Sequence, residues 1–197
     1  MPLVDRVRNI CVSPATEWPV IEQERTEPAD LTVSYLVPLA LANAAAGFIG
    51  GTLLRAVLPL GIFGGFFAGI VGACVSFVMT LLGCLLIAFI INTLAATFDG
   101  TPNFNQAFKT SVYSYTPGVV GGIARIVPFL GGFVAIVASF YGLYLLYVGL
   151  PVTMRAPKEK AAAYTVLVVV ASIVVMVVIT TVMSVLGLAG LAGMSQL

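Results

Sequence analysis

The sequence predicts an all-α polytopic membrane protein, a bundle of five transmembrane helices with short N-terminal interfacial helices, and three observations carry that prediction. Hydrophobic residues make up 60% of the 197 residues and charged ones only 9%, more apolar surface than a soluble domain of this size can hide. The apolar residues gather into runs long enough to cross a bilayer. The charges fall between those runs and are shared unequally between the two sides.

Taken in order, residues 1–30 form an N-terminal segment with charges and prolines in place of an unbroken apolar core, so no cleavable signal is expected. Within it MPLVDRVRNICV sets Leu3, Val7 and Ile10 on one side and Asp5 and Arg6 near the other. SPATEWPVIEQER offers Ser13 as N-cap with Pro14 at the first helical position. The pair reads as two short helices lying on the inner leaflet, with Trp18 as interfacial anchor. Glu22, Glu24, Glu27 and Asp30 then read as a hydrated linker.

The spans are expected at about 31–54, 65–98, 109–127, 129–150 and 161–190. The run from Ala56 to Phe98 is long enough for one helix with a preamble or for two short ones, and charge decides between them. With five spans the inner side holds Arg6, Arg8, Arg25, Lys109, Arg155, Lys158 and Lys160, and the outer side only Arg55 and Arg125. Two spans in the long run would break that positive-inside bias. AVLPLGIFGGFF, with Pro59, Gly61, Gly64 and Gly65, is therefore an outer connector or a re-entrant piece. In the third span Pro117 removes a backbone donor and clashes with the carbonyl of Tyr113, so a bend is expected. With Gly118, Gly121 and Gly122 following, it is either a loosely held hinge or an answer to packing. Arg125 lies one turn from the outer end, where it either snorkels to the headgroups or lines a solute path.

Membrane helices associate where small residues let backbones approach. Gly65, Gly69, Gly72, Ser76, Thr80 and Gly83 recur at intervals that keep them on one face of the second span, which makes them a helix-packing ridge. Shorter ridges are Ala40, Asn43, Gly47 and Gly50 in the first span and Gly132, Ala135, Ser139 and Gly142 in the fourth. Phe133, Phe140, Tyr144 and Tyr147 stand opposite the latter, suited to lipid or a partner. Thr165, Ser172 and Thr180 in the last span are accounted for by back-bonding to helix carbonyls.

The chemistry that these residues leave out is informative. There is no histidine, Cys11, Cys74 and Cys84 lack metal-ligand spacing, and the spans carry no carboxylate. No catalytic residue, cofactor or metal site is therefore expected, and an enzyme is the weakest reading. A net charge of +1 gives no field for nucleic acid.

TFDGTPNFNQAFKTSVYSYTPGVVGGI, then IVPFLGGFVAIVASFYGLYLLYVGLPVTMRAPKEKAAAYTVLVVV, preceded by SPATEWPVIEQE, together resemble the Yip family of Ypt/Rab-interacting membrane proteins in its prokaryotic form. The likeness covers nearly the whole chain, although the D-L-Y-G-P phrase before the first span is replaced by DLTVSYLVP. It implies five spans with an inner N-terminus and a bacterial cytoplasmic membrane, with the C-terminus on the opposite side. It also singles out Asp99, Gly100, Phe104, Phe108, Lys109, Tyr113, Tyr115 and Pro117 as an interaction or hinge surface. Phe104 and Phe108, one turn apart, could pack down on the membrane, with Asp99 and Lys109 at the inner boundary. The expected function is that of a non-enzymatic scaffold, accessory subunit or membrane organiser, with a passive channel or transporter as the alternative. The expected partners are the lipid bilayer and either a membrane protein or further copies of the chain.

Overall fold

The computed structural model describes the backbone of residues 2–57, 62–127 and 130–194, and the side chains of residues 2–53, 66–124, 126–127 and 131–181. The described chain is helical throughout, in the order α1 (Leu3–Val12), α2 (Pro14–Gln23), α3 (Pro28–Leu31), α4 (Val37–Val57), α5 (Ile62–Leu94), α6 (Phe104–Ile123), α7 (Leu130–Thr153) and α8 (Ala161–Met194). A π-helical turn, Thr32–Leu36, joins α3 to α4 ahead of Pro38, which cannot donate to the ladder. Thr32 and Ser34 hydroxyls back-bond to the carbonyls of Pro28 and Asp30 across this turn.

Four helical stretches are long and apolar enough to cross a membrane: Pro28–Leu53, Phe66–Phe98, Gly131–Thr153 and Lys158–Thr181. Their outward faces carry bare hydrocarbon. Phe67, Phe133 and Phe140 are 74%, 67% and 69% exposed, and Val166, Ile173 and Val177 continue the pattern on α8. A continuous apolar exterior of this kind belongs against lipid. The chain is an integral membrane protein.

The expected third span, α6, is the most enclosed of the five long helices and the least apolar of them. Thr110, Ser111, Ser114 and Thr116 are buried along it, and each of α4, α5 and α7 packs on it. Thr110 meets Thr153 at 2.6 Å, Ser114 lies against Gly142, and Gly121 lies against Ala138, so α6 and α7 run antiparallel over their shared length. Tyr35 meets Thr116 at 2.9 Å and Asn43 lies on Gly122, so α4 runs parallel to α6. The Ser111 hydroxyl donates to the Cys84 carbonyl of α5 at 2.7 Å, and the Tyr164 hydroxyl of α8 to the Ile91 carbonyl of α5 at 2.5 Å.

The N-terminal helices depart from expectation. They pack against the bundle, and Trp18, expected as an interfacial anchor, is fully buried within the chain. Trp18 fills a notch over Gly149 of α7 and stands edge-on to Tyr113 at 6.4 Å. The Tyr141 hydroxyl donates to the Cys11 carbonyl at 2.8 Å, about 18 Å of helix from the Thr153 end of α7.

The close helix packing also differs from the ridge read in the sequence. Within the second-span ridge Gly69 and Thr80 are buried, but a Cβ on Gly72 or Gly83 would meet nothing within 4 Å. Within the chain these two glycines do not bring backbones together: Gly72 is exposed, and Gly83 is half-buried with open space above it. The tight approaches occur at Gly121, Gly122, Gly142 and Gly149. In the shorter ridges Ala40 is buried, while Gly47 and Gly132 are open. The hydroxyls of Thr165, Ser172 and Thr180 bond to the carbonyls four residues back.

The side chains of Gly64, Gly65 and Arg125 and the residues Pro59, Gly61 and Pro128 lie outside what is described, as do residues 195–197. Of the connector read between the first two spans, residues 56–57 end α4 and residues 62–67 begin α5, while residues 58–61 fall there, as does the role of Arg125.

Candidate functional site

The polar side chains converge at one end of the bundle, where the N-terminal helices, the α5–α6 loop and the α7–α8 loop meet. The first component is an ion cluster. Arg6 donates to Glu17 at 2.5 Å and to Glu24, with both Arg6 and Glu17 nearly excluded from solvent. Its guanidinium lies 5.8 Å from the centre of the Tyr113 ring, which in turn packs on Tyr35 at 4.9 Å. Burial works against the Arg6 charge, but Tyr113, Glu24 and Glu17 outweigh it and hold its pKa above the ordinary arginine value. The acidic stretch expected as a hydrated linker is thus drawn into the structure at Glu24 and Glu22.

The second component ties α2 to α6. A helix ends with unpaired carbonyls and a partial negative charge, and the end of α2 is met by a cation. Lys109, itself buried, donates to the carbonyl of Ile21 at 3.1 Å and to that of Glu24, and the Gln106 amide donates to the Glu22 carbonyl at 2.8 Å. Lys109 thus acts as a helix cap and not as a free charge.

The third component stitches the α5–α6 loop to the α7–α8 loop. Asp99 has φ 55°, a left-handed conformation that aspartate tolerates better than most residues, and it pairs with Lys160. Gly100 follows because a Cβ there would come within 2.9 Å of the Met154 carbonyl, and the Thr101 amide donates to that same carbonyl at 2.7 Å. Phe98 stacks on Tyr164 at 4.8 Å. Arg155, at φ 53°, closes the turn on the other side and reaches Glu22 at 3.1 Å.

The residues singled out by resemblance therefore divide. Lys109, Phe108, Tyr113 and Pro117 are buried, Asp99 and Gly100 shape the loop stitch, and Phe104 and Tyr115 are 40% and 39% exposed. Phe108 is core, 1% exposed, so of the two rings expected on the membrane only Phe104 faces outward, stacked on it at 6.3 Å. α6 continues as one helix through Pro117. Arg6, Glu17, Trp18 and Gly149 were not expected in the site. Their only signal in the sequence is a charge set among apolar residues of a short amphipathic helix, which is equally the pattern of a surface helix.

A cleft opens beside these contacts, lined by Glu22, Thr101, Asn103, Gln106, Thr153 and Arg155. Among the described residues no group of His, Cys, Asp or Glu side chains is arranged to hold a metal ion. Burial raises the pKa of Cys11 and so disfavours its thiolate.

Fold and site define a polytopic helical membrane protein whose amphipathic N-terminal segment is docked into its own bundle. The chain belongs to the Yip1 domain family, whose family model matches residues 8–194. No curated protein and no solved structure matches it.

Proposed function

We propose that the protein is a non-enzymatic organiser of the bilayer, acting as scaffold or accessory subunit through its helices and inner surface. The observation that carries this reading is the seating of α1 and α2. Through Trp18 on Gly149 and Arg6 on Glu17 and Glu24, two extra helices enlarge the bundle at its inner end. A body wider in one leaflet than the other takes up lipid area unequally, and its shape couples to curvature.

In this reading the chain is a prokaryotic member of its family, placed in a bacterial cytoplasmic membrane with α6 as a fifth crossing. Its antiparallel packing along α7 and its 20 residues, about 30 Å of rise, support the crossing. The N-terminus is then cytoplasmic and the C-terminus opposite. The open space at Gly72 and Gly83 leaves room on α5 for a membrane partner or a second copy. The alternative of a passive channel draws on the hydroxyl-rich α6, where Ser114 Oγ and, two turns along at Gly122, Asn43 Oδ1 are buried without a hydrogen-bond partner.

Reconstitution into liposomes separates the readings. Vesicle remodelling without flux of small neutral solutes is expected, and it should weaken when α1 and α2 are undocked by Trp18→Ala. Solute flux with unchanged vesicle shape would replace the organiser by the channel.

A further inference from the structure

The cleft at the inner end has a chemical asymmetry that the packing does not use. Its lining carries a cation, Arg155, whose side chain is 73% exposed, paired with the Glu22 carboxylate, beside the polar side chains of Thr101, Asn103 and Gln106. Asn103 Oδ1 already accepts from the Gln106 backbone N–H at 3.2 Å, which leaves its Nδ2 as the free donor. The Gln106 amide orientation is fixed, because its Nε2 donates to the Glu22 carbonyl at 2.8 Å and the flipped amide would set oxygen against oxygen. Its Oε1 is consequently an acceptor, buried and without a partner. A buried acceptor left unpaired costs about 1–3 kcal/mol, so the site gains from a ligand that brings a donor.

The cleft encloses about 120 Å³, room for a lipid headgroup but not for an acyl chain. It lies at the end of the transmembrane helices where Arg155 and Lys160 terminate the apolar surface. We propose that it binds a zwitterion joining a primary ammonium to a phosphate, the chemistry of the phosphatidylethanolamine headgroup. The ammonium donates to Gln106 Oε1 and Glu22. Arg155, Thr101 and Asn103 take the phosphate, aided by the positive end of α6, which starts at Phe104. Binding exchanges the Arg155–Glu22 pair, 3.1 Å apart and exposed on the arginine side, for two pairings with the ligand. An exposed ion pair is held by about 0–1 kcal/mol, so opening it is cheap. Methylation of the ammonium to choline removes every N–H donor, which makes the site selective between two lipids of equal net charge.

The proposal rests on this end of the bundle meeting a membrane surface, but its headgroup chemistry can be read without one. The full chain is reconstituted in nanodiscs of equal parts phosphatidylethanolamine, phosphatidylcholine and phosphatidylglycerol, and the lipid retained is identified by native mass spectrometry. One net hydrogen bond of about 1 kcal/mol corresponds to about fivefold preference, so phosphatidylethanolamine should be retained about fivefold over phosphatidylcholine. Arg155→Gln and Glu22→Gln should each abolish the preference, while Lys158→Gln, which removes an exposed charge outside the cleft, should leave it. Should either cleft variant misfold, the unaltered chain is presented with the mono- and dimethylated headgroups, whose retention should fall with each methyl. Competition by soluble O-phosphoethanolamine assigns the site to the headgroup moiety from either source, and its failure assigns it to the lipid. Equal retention of the ethanolamine and choline lipids, preference for phosphatidylglycerol, or an equal effect of Lys158→Gln would overturn the proposal.

Discussion

The seating of Trp18 on Gly149 is open to a direct perturbation. A methyl group added at Gly149 would stand 2.6 Å and 2.7 Å from two carbons of the indole, where carbon atoms rest at about 3.5–4.0 Å. The ring cannot swing aside, because Trp18 is fully buried and Tyr113 flanks it. Overpacking of this kind costs about 1–3 kcal/mol. Alanine also raises helix propensity over glycine by about 1 kcal/mol, so the clash must be separated from that gain. Gly72 supplies the control, since it is also inside a helix and its added methyl meets nothing within 4 Å. Gly149→Ala minus Gly72→Ala then isolates the overpacking. At about 2–4 °C per kcal/mol for a chain of this size, the two variants should melt about 2–12 °C apart in detergent. Trp18 is the sole tryptophan, so its emission follows the same event and should shift to the red in Gly149→Ala alone. Equal melting of the two variants with unshifted emission would refute the seating of α2 and, with it, the enlarged inner end.

Further outcomes follow from the same contacts. Arg6→Met leaves Glu17 buried without its cation and should cost about 3–5 kcal/mol, of which Glu17→Gln in the same chain should restore a part; a double-mutant cycle on thermal melts measures it. Gly100→Ala should lower the melting temperature, since its methyl would press on the Met154 carbonyl, whereas Arg155→Gly relieves a φ of 53° and should not lower it. Single cysteines at positions 2, 103 and 158 should be labelled from one side of the membrane and a cysteine at 196 from the other; labelling of 103 from the side opposite 2 excludes the five-span arrangement. Pro117→Ala should leave hydrogen exchange around Tyr113 unchanged if that ring is clamped by Arg6 and Tyr35 as the geometry indicates, and slower exchange would restore the hinge.

Composition and run length were enough to establish a helical membrane protein, because the bilayer admits few solutions and each crossing must be written out as about 20 apolar residues. The outward face of Phe133, Phe140, Tyr144 and Tyr147 and the back-bonded Thr165, Ser172 and Thr180 were legible for the same reason, since a helix repeats its faces at a fixed period. Local chemistry reached as far as the Yip resemblance, which rests on contiguous phrases. What the tertiary structure alone decided was which faces meet. A glycine at helical spacing reads alike whether it touches a neighbour, as Gly121 does, or faces outward, as Gly72 does. An amphipathic segment reads alike whether or not it also packs on a bundle, and its packing here belongs to partners that no local period names: Glu17 and Glu24 for Arg6, and, far along the chain, Gly149 for Trp18 and Lys109 for the end of α2. Such pairings depend on long-range shape and charge, which no local period encodes.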